Sequence, residues 1–208
     1  MDQPATRESH ERERDLDRLL TFVDAVVAIA ITLLVLPLVE LTSDVTGGDS
    51  VADLLHAHLS QLWSFLLSFV VIARLWFAQH RAMRHVMAAN ARLGHLLAVW
   101  MLTIVFLPFP TALVASAGEQ PATKILYVGT IALSTLTLAV IDALVLRHPE
   151  LTDGIAPTGL RSAVTSAVLL LIALAIMLAV PATSYYPMLL LLLDPLVERA
   201  LQAFSTAR

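Results

Sequence analysis

Three ionisable residues stand inside otherwise apolar stretches of the chain: Asp24, Arg74 and Asp142. In hydrocarbon such side chains are costly, so they pair with one another, line a water-filled route or pass protons between sites. At about 1.5 Å of helix rise per residue, Asp24 and Arg74 both lie roughly 7–9 Å inside the ends of their stretches, and Asp142 falls at a similar depth. The shared level predicts a structural ion pair of Asp24 with Arg74, with Asp142 as a third candidate member; a proton relay or substrate site is the alternative. Other constellations carry less. His80 and His85 flank a basic stretch, and imidazole is the side chain suited to reading pH near neutrality, but a histidine is ordinary at such a boundary. His56-x-His58 with Asp53 has metal-compatible residue types and no fourth ligand, so its spacing reads as accidental. There is no Gly-rich phosphate loop, nucleophile elbow or H-E-x-x-H pattern. With no cysteine, thiol nucleophiles, disulfides and thiolate metal sites are excluded. The chain is therefore not expected to be an enzyme, to hold a cofactor or to bind nucleic acid.

Long apolar helices must position these residues. The chain is 58% hydrophobic and 14% charged over 208 residues, with a net charge of −4. Its mean hydropathy is +0.78, which puts it among polytopic membrane proteins. Roughly 20 apolar residues cross a hydrocarbon core about 30 Å thick. Six stretches qualify: Leu19–Leu41, Leu59–Ala78, Leu93–Ala117, Thr123–Leu146, Leu160–Val180 and Met188 onward, the last interrupted by Asp194-Pro195. The expected fold is an all-α, six-span membrane protein. Residues 1–17 are expected to form a charged, solvated tail, helical at most towards its end, and 18–208 the membrane domain. Val51–His58 is read as a short amphipathic helix. With the N-terminus inside, Arg7, Arg12, Arg14, Arg18, Arg81, Arg84, Arg92, Arg147, Arg161, Arg199 and Arg208 fall on the cytoplasmic side and Lys124 outside. A multi-pass protein of the cell membrane with both termini in the cytoplasm follows. Glu40, Asp44, Asp49, Asp53 and Glu119 gather outside, where they would raise the local cation concentration. Trp63, Trp76, Trp100, Tyr127, Tyr185 and Tyr186 are read mostly as anchors at the membrane interfaces.

Arg18–Glu40 is the stretch around which the other five are expected to be arranged. Turning about 100° per residue from Ile29 brings Arg18, Phe22, Ala25, Leu33, Leu36 and Glu40 within about 40° of it. One face is thus apolar along its length and charged at both ends. Asp24 points the other way, towards neighbouring helices, as an anchor. Ala25, Ala28 and Thr32 form a ridge of small residues that permits close helix approach. Pro37 cannot bond the Leu33 carbonyl, which predicts a bend. On hydropathy alone, Ile29, Leu33 and Leu36 are a lipid- or core-facing stripe.

Arg18-x-x-x-Phe22-Val23-Asp24, followed by Ala28 to Leu34, resembles the first helix of the transmembrane-protein-175 potassium channels, with their R-x-x-x-F-S-D signature. Val23 stands where that signature has Ser. Ser68-Phe69 with Trp76 and His80-Arg81 resembles the family's second span. Its histidine usually comes three residues after the Trp, a position held here by Gln79. Leu107-Pro108-Phe109-Pro110-Thr111 resembles the third span. The likeness covers about the first half of the chain by motif, and the second half by hydropathy.

The resemblance implies a passive, potassium-selective cation channel, assembled from identical subunits as a homotetramer in the lipid bilayer. Its permeant species would be potassium among monovalent cations. The first helix would line the pore, with Ile29 as the apolar constriction, Thr32 three residues on, and Leu33 and Leu36 as the next layers. Glu40 would stand at the outer mouth. Arg18, Phe22, Asp24, Arg74, Trp76 and His80 would form the motif and structural network, Arg74 entering by depth alone. No carbonyl filter of the T-V-G-Y-G kind is present, so selectivity would fall to Thr32 and the narrow apolar layers. The competing readings are a proton-coupled secondary transporter using Asp24, Arg74 and Asp142, for which no internal repeat is evident, and a non-transporting membrane scaffold.

Overall fold

From Ala5 to Leu33 the sequence holds neither Gly nor Pro and is rich in Glu, Arg, Ala and Leu, all strong helix formers. One helix, α1, accordingly runs Gln3–Leu33. The charged leader is therefore not a tail that turns helical only at its end; it continues the helix backward from the membrane stretch. The computed structural model describes residues 3–41, 50–152, 159–180, 185 and 187, with side chains from residue 14 in the first of these and from 164 in the third. The bend expected at Pro37 is present. The amides of Leu34 and Val35 turn back to the carbonyls of Ile31 and Thr32, each at 3.2 Å, and a short helix α2, Leu36–Glu40, follows.

The short helix α3, Val51–Ala57, is capped by Ser50, whose hydroxyl accepts from the Ala52 amide at 3.2 Å. The next helix, α4, spans Leu59–Met83. It passes the expected end at Ala78 and carries His80 and Arg81 as helical residues. Asn90 caps α5, Ala91–Phe106, by accepting from the Leu93 amide at 2.8 Å. Pro108 and Pro110 withhold two amides, so the chain tightens at Leu107 and continues as α6, Pro108–Ala117. Pro121 opens α7, Pro121–Arg147, and α8 covers Gly159–Ala179. Among the described residues, four stretches are long and apolar enough to cross a membrane: Arg14–Glu40, Leu59–Met83, Ala91–Ala117 and Pro121–Arg147, with Val164–Ala179 a shorter apolar helix. The sixth expected span lies outside the described residues.

Contacts radiate from α7, which packs on α8, α5, α6 and α4, whereas α1 lies mainly on α5 with lesser contact to α4 and α6. The apolar window of α7 is 61% buried and that of α1 only 22%. The helices are thus arranged around α7, not around the first helix. The consequence shows in side chains read as interface anchors: Trp100 and Tyr127 are wholly buried. At one end of the bundle the turn after α4 meets the turn after α7, with the Met87 amide donating to the Leu151 carbonyl at 2.8 Å. This end carries Arg81, Arg92 and Arg147 and is called the arginine end. At the other, Lys124 is buried yet paired with exposed Glu119 at 3.1 Å, and the Tyr185 phenol donates to the Gly118 carbonyl at 2.8 Å. Burial, and then the Glu119 charge, push that phenol up to about 12, so it remains a donor. A Cβ on Gly118 would meet the Val114 carbonyl oxygen at 2.6 Å and the Tyr185 ring at 3.3 Å, so this approach requires glycine.

Three buried hydroxyls join α4, α6 and α7. Ser68 Oγ lies 2.8 Å from both Tyr127 OH and Thr111 Oγ1, and Thr111 Oγ1 lies 2.8 Å from the Leu107 carbonyl. Thr111 donates to Ser68, and Ser68 and Tyr127 share the third contact, so each of the three hydroxyls has a partner. Tyr127→Phe removes one bond without a cavity and is expected to cost about 1 kcal/mol. Ser68→Ala breaks two bonds and should cost about 2–3 kcal/mol, read as the difference in unfolding free energy in detergent micelles.

Candidate functional site

The face that α1 turns to the bundle is made of Leu16, Val23, Val27, Ala30 and Leu34, all buried. Arg18, Phe22, Ala25, Ala28, Ile29, Thr32, Leu33, Leu36 and Glu40 are exposed. The contrast is sharp at the residues that matter: Ile29 is 59% exposed and Leu34 2%. Thr32 turns its hydroxyl back to the Ile29 carbonyl at 2.7 Å. Val23, which lacks the hydroxyl of the signature serine, is completely buried as an apolar contact.

Asp24 sets that orientation. Its carboxylate accepts from the Trp76 indole N–H at 2.8 Å, and His80 Nδ1 lies 3.9 Å away. The imidazole rests against the Trp76 ring, with centroids 5.0 Å apart. Trp76 and His80 are four residues apart on α4 and so share one face, while Gln79 turns into the bundle and is buried. The reach to α1 belongs to the fourth residue after the Trp. Depth alone had suggested Arg74 as the partner of Asp24. The structure gives Asp24 to Trp76 and His80, and brings the Arg74 guanidinium to Ser166 Oγ on α8 at 3.4 Å. Asp142 is buried on α7, and its Oδ1 has no hydrogen-bond donor among the described residues. The Asp24 side chain is 42% exposed, so the anchor is half-buried and not a desolvated ion pair. Sequence reasoning missed the direct meeting of Ser68 with Thr111 and with Tyr127; the two motif hydroxyls were the available signal.

The family model described as endosomal/lysosomal potassium channel TMEM175 matches residues 18–108, the stretch that holds Phe22, Asp24, Ser68, Trp76, His80 and the approach to Thr111. Over this stretch the chain is similar to the TMEM175 family. A potassium channel of Chamaesiphon minutus is 35% identical over 118 residues, covering 54% of this chain and 56% of that protein. One of Streptomyces collinus is 33% identical over 102 residues, 47% of each. A Gallus gallus protein named endosomal/lysosomal proton channel TMEM175 is 29% identical over 136 residues, 64% of this chain and 26% of that one. The chain thus spans about half, or less, of the length of these relatives. The crystal structure of a lysosomal potassium-selective channel TMEM175 homologue from Chamaesiphon minutus matches the fold with a TM-score of 0.70 and 23% identity, covering 88% of this chain and 97% of that one. The all-α membrane fold is shared with that channel.

Trp76→Phe keeps an aromatic ring against His80 but deletes the N–H that Asp24 accepts. At a half-exposed site this should cost about 1–2 kcal/mol, measured by unfolding in detergent. Asp24→Ala, which strands the indole donor, should cost at least as much, and Asp24→Asn, which keeps an acceptor, less. Equal stability of all three with the wild type would remove Asp24 from the anchoring role.

Proposed function

We propose that this chain is the subunit of a passive, potassium-selective cation channel of the cell membrane. Four copies assemble with their first helices around a central pore, and both termini lie in the cytoplasm. The observation that carries this reading is the division of α1 into a face packed within the subunit and an opposite exposed face of Phe22, Ile29, Leu33 and Leu36. The Chamaesiphon and Streptomyces relatives named potassium channels support it. Ile29 forms the constriction: narrow and apolar, it sheds water when closed and admits partly hydrated ions when dilated. Thr32, Leu33 and Leu36 form the next layers, and Glu40 draws cations to the outer mouth. The membrane domain is 18–208, with 1–17 on the cytoplasmic side. A transporter relay through Asp24, Arg74 and Asp142 is disfavoured, because Asp24 and Arg74 turn to different partners.

Vesicles holding the protein under an imposed potassium gradient should pass current that reverses near the potassium potential; an exchanger would follow a pH gradient instead. Ile29→Asn should wet the constriction, raising conductance and weakening preference for potassium over sodium. Leu34→Asn, about 140° round the same helix and buried, should reduce folding or assembly and leave permeation unchanged in the protein that survives. Similar behaviour of the two variants in bilayer recordings would mean that the wrong face of α1 has been assigned to the pore. Thr32→Val frees the Ile29 carbonyl of its hydroxyl partner and should alter selectivity with little effect on assembly.

A further inference from the structure

Near the arginine end two buried acceptors have no donor among the described residues: Oδ1 of Asp142 on α7 and Oε1 of Gln79 on α4. Their residues are 2% and 1% exposed, so bulk water does not reach them. The Ser68 contact with Tyr127 sets the register of the two helices, which run in the same direction through the alternating bundle. Gln79 lies eleven positions beyond Ser68 and Asp142 fifteen beyond Tyr127. Both fall within about 60° of the face that this contact defines, and their heights differ by about 6 Å, one helical turn. Arg81, between those levels on α4, is exposed and turned away from this face. At the same level α5 offers buried Leu93 and Leu97, with Arg92 and His95 exposed. On α8, Ser166 is engaged by Arg74.

Two acceptors cannot answer each other, but a single proton on the carboxyl turns one of them into a donor and satisfies both. A neutral acid is also far less costly than a carboxylate in this surrounding. We infer that Asp142 is held as a neutral carboxylic acid whose proton is donated to the Gln79 carbonyl oxygen, a buried proton-holding joint between α4 and α7 that lies apart from the exposed face of α1. Gln79 is three residues from Trp76, so the joint braces the stretch of α4 that holds Asp24.

Infrared difference spectra of the purified full chain test this directly. Wild type minus Asp142→Asn at neutral pH should show the carbonyl stretch of a protonated carboxylic acid, above the amide I band and shifted by deuterium exchange. Gln79→Leu should move that band to the higher frequency of an acid without an acceptor. Asp142→Asn keeps an N–H for the Gln79 carbonyl and should leave the melting temperature in detergent unchanged. If Asp142→Asn does not accumulate, the Gln79→Leu minus wild-type difference carries the same shift. Absence of the acid band overturns the inference, showing Asp142 ionised with the Gln79 amide turned to donate to it. A band that ignores Gln79→Leu overturns it too, because the proton is then shared elsewhere.

Discussion

Hydrocarbon offers a polar side chain no water, so each one inside a membrane bundle has to be answered by the protein. In this chain that constraint acts most directly through the indole of Trp76 and the carboxylate of Asp24. Asp24 and Ile29 lie about 140° apart on one helix. Holding the first against α4 therefore turns the second away from the subunit. Rotating α1 to bury Ile29 would carry Asp24 off its donor and drag Val23, Val27 and Leu34 out of their packing. A single hydrogen bond, with the apolar contacts on its side of the helix, decides which residues of α1 remain exposed outside the bundle.

Other buried polar side chains are answered in three further ways. In α7 the hydroxyls of Thr130, Thr135 and Thr137 bond the carbonyls four residues back, at 2.7 to 2.9 Å, so these residues pack as if apolar and α7 can be buried on most sides. Ser68, Thr111 and Tyr127 answer one another across three helices. Lys124 is answered by Glu119 at the opposite end.

How much of this was legible in the sequence depends on the kind of information each feature needs. Span limits follow from apolar length, and α5–α6, α7 and α8 begin and end within a few residues of their expected bounds. The break before Pro37 follows from a missing amide. Depth along a helix can also be read, but the direction in which a side chain leaves it is less secure. Arg74 shares a level with Asp24 and reaches α8; His80, one residue past the family's usual position, is the residue that faces α1. The central place of α7 was hidden because threonines that bond their own backbone look polar in a sequence. Trp100 and Tyr127 passed for interface residues because nothing local announces that the bundle closes over them. The helical leader was hidden for the opposite reason: its charge suggested solvation, while its intrinsic preference for helix decided the backbone.

That leader alters the mechanics of α1. A helix of 31 residues is a rod about 46 Å long, and this one continues, without a glycine or proline hinge after Ala5, past the level of Ile29. A tilt of about 5° around its midpoint displaces either tip by roughly 2 Å, comparable with the rise of a single residue. Torque applied at the leader is therefore delivered to the membrane portion almost undamped. The helix axis breaks only beyond Leu33, at the turn before Pro37.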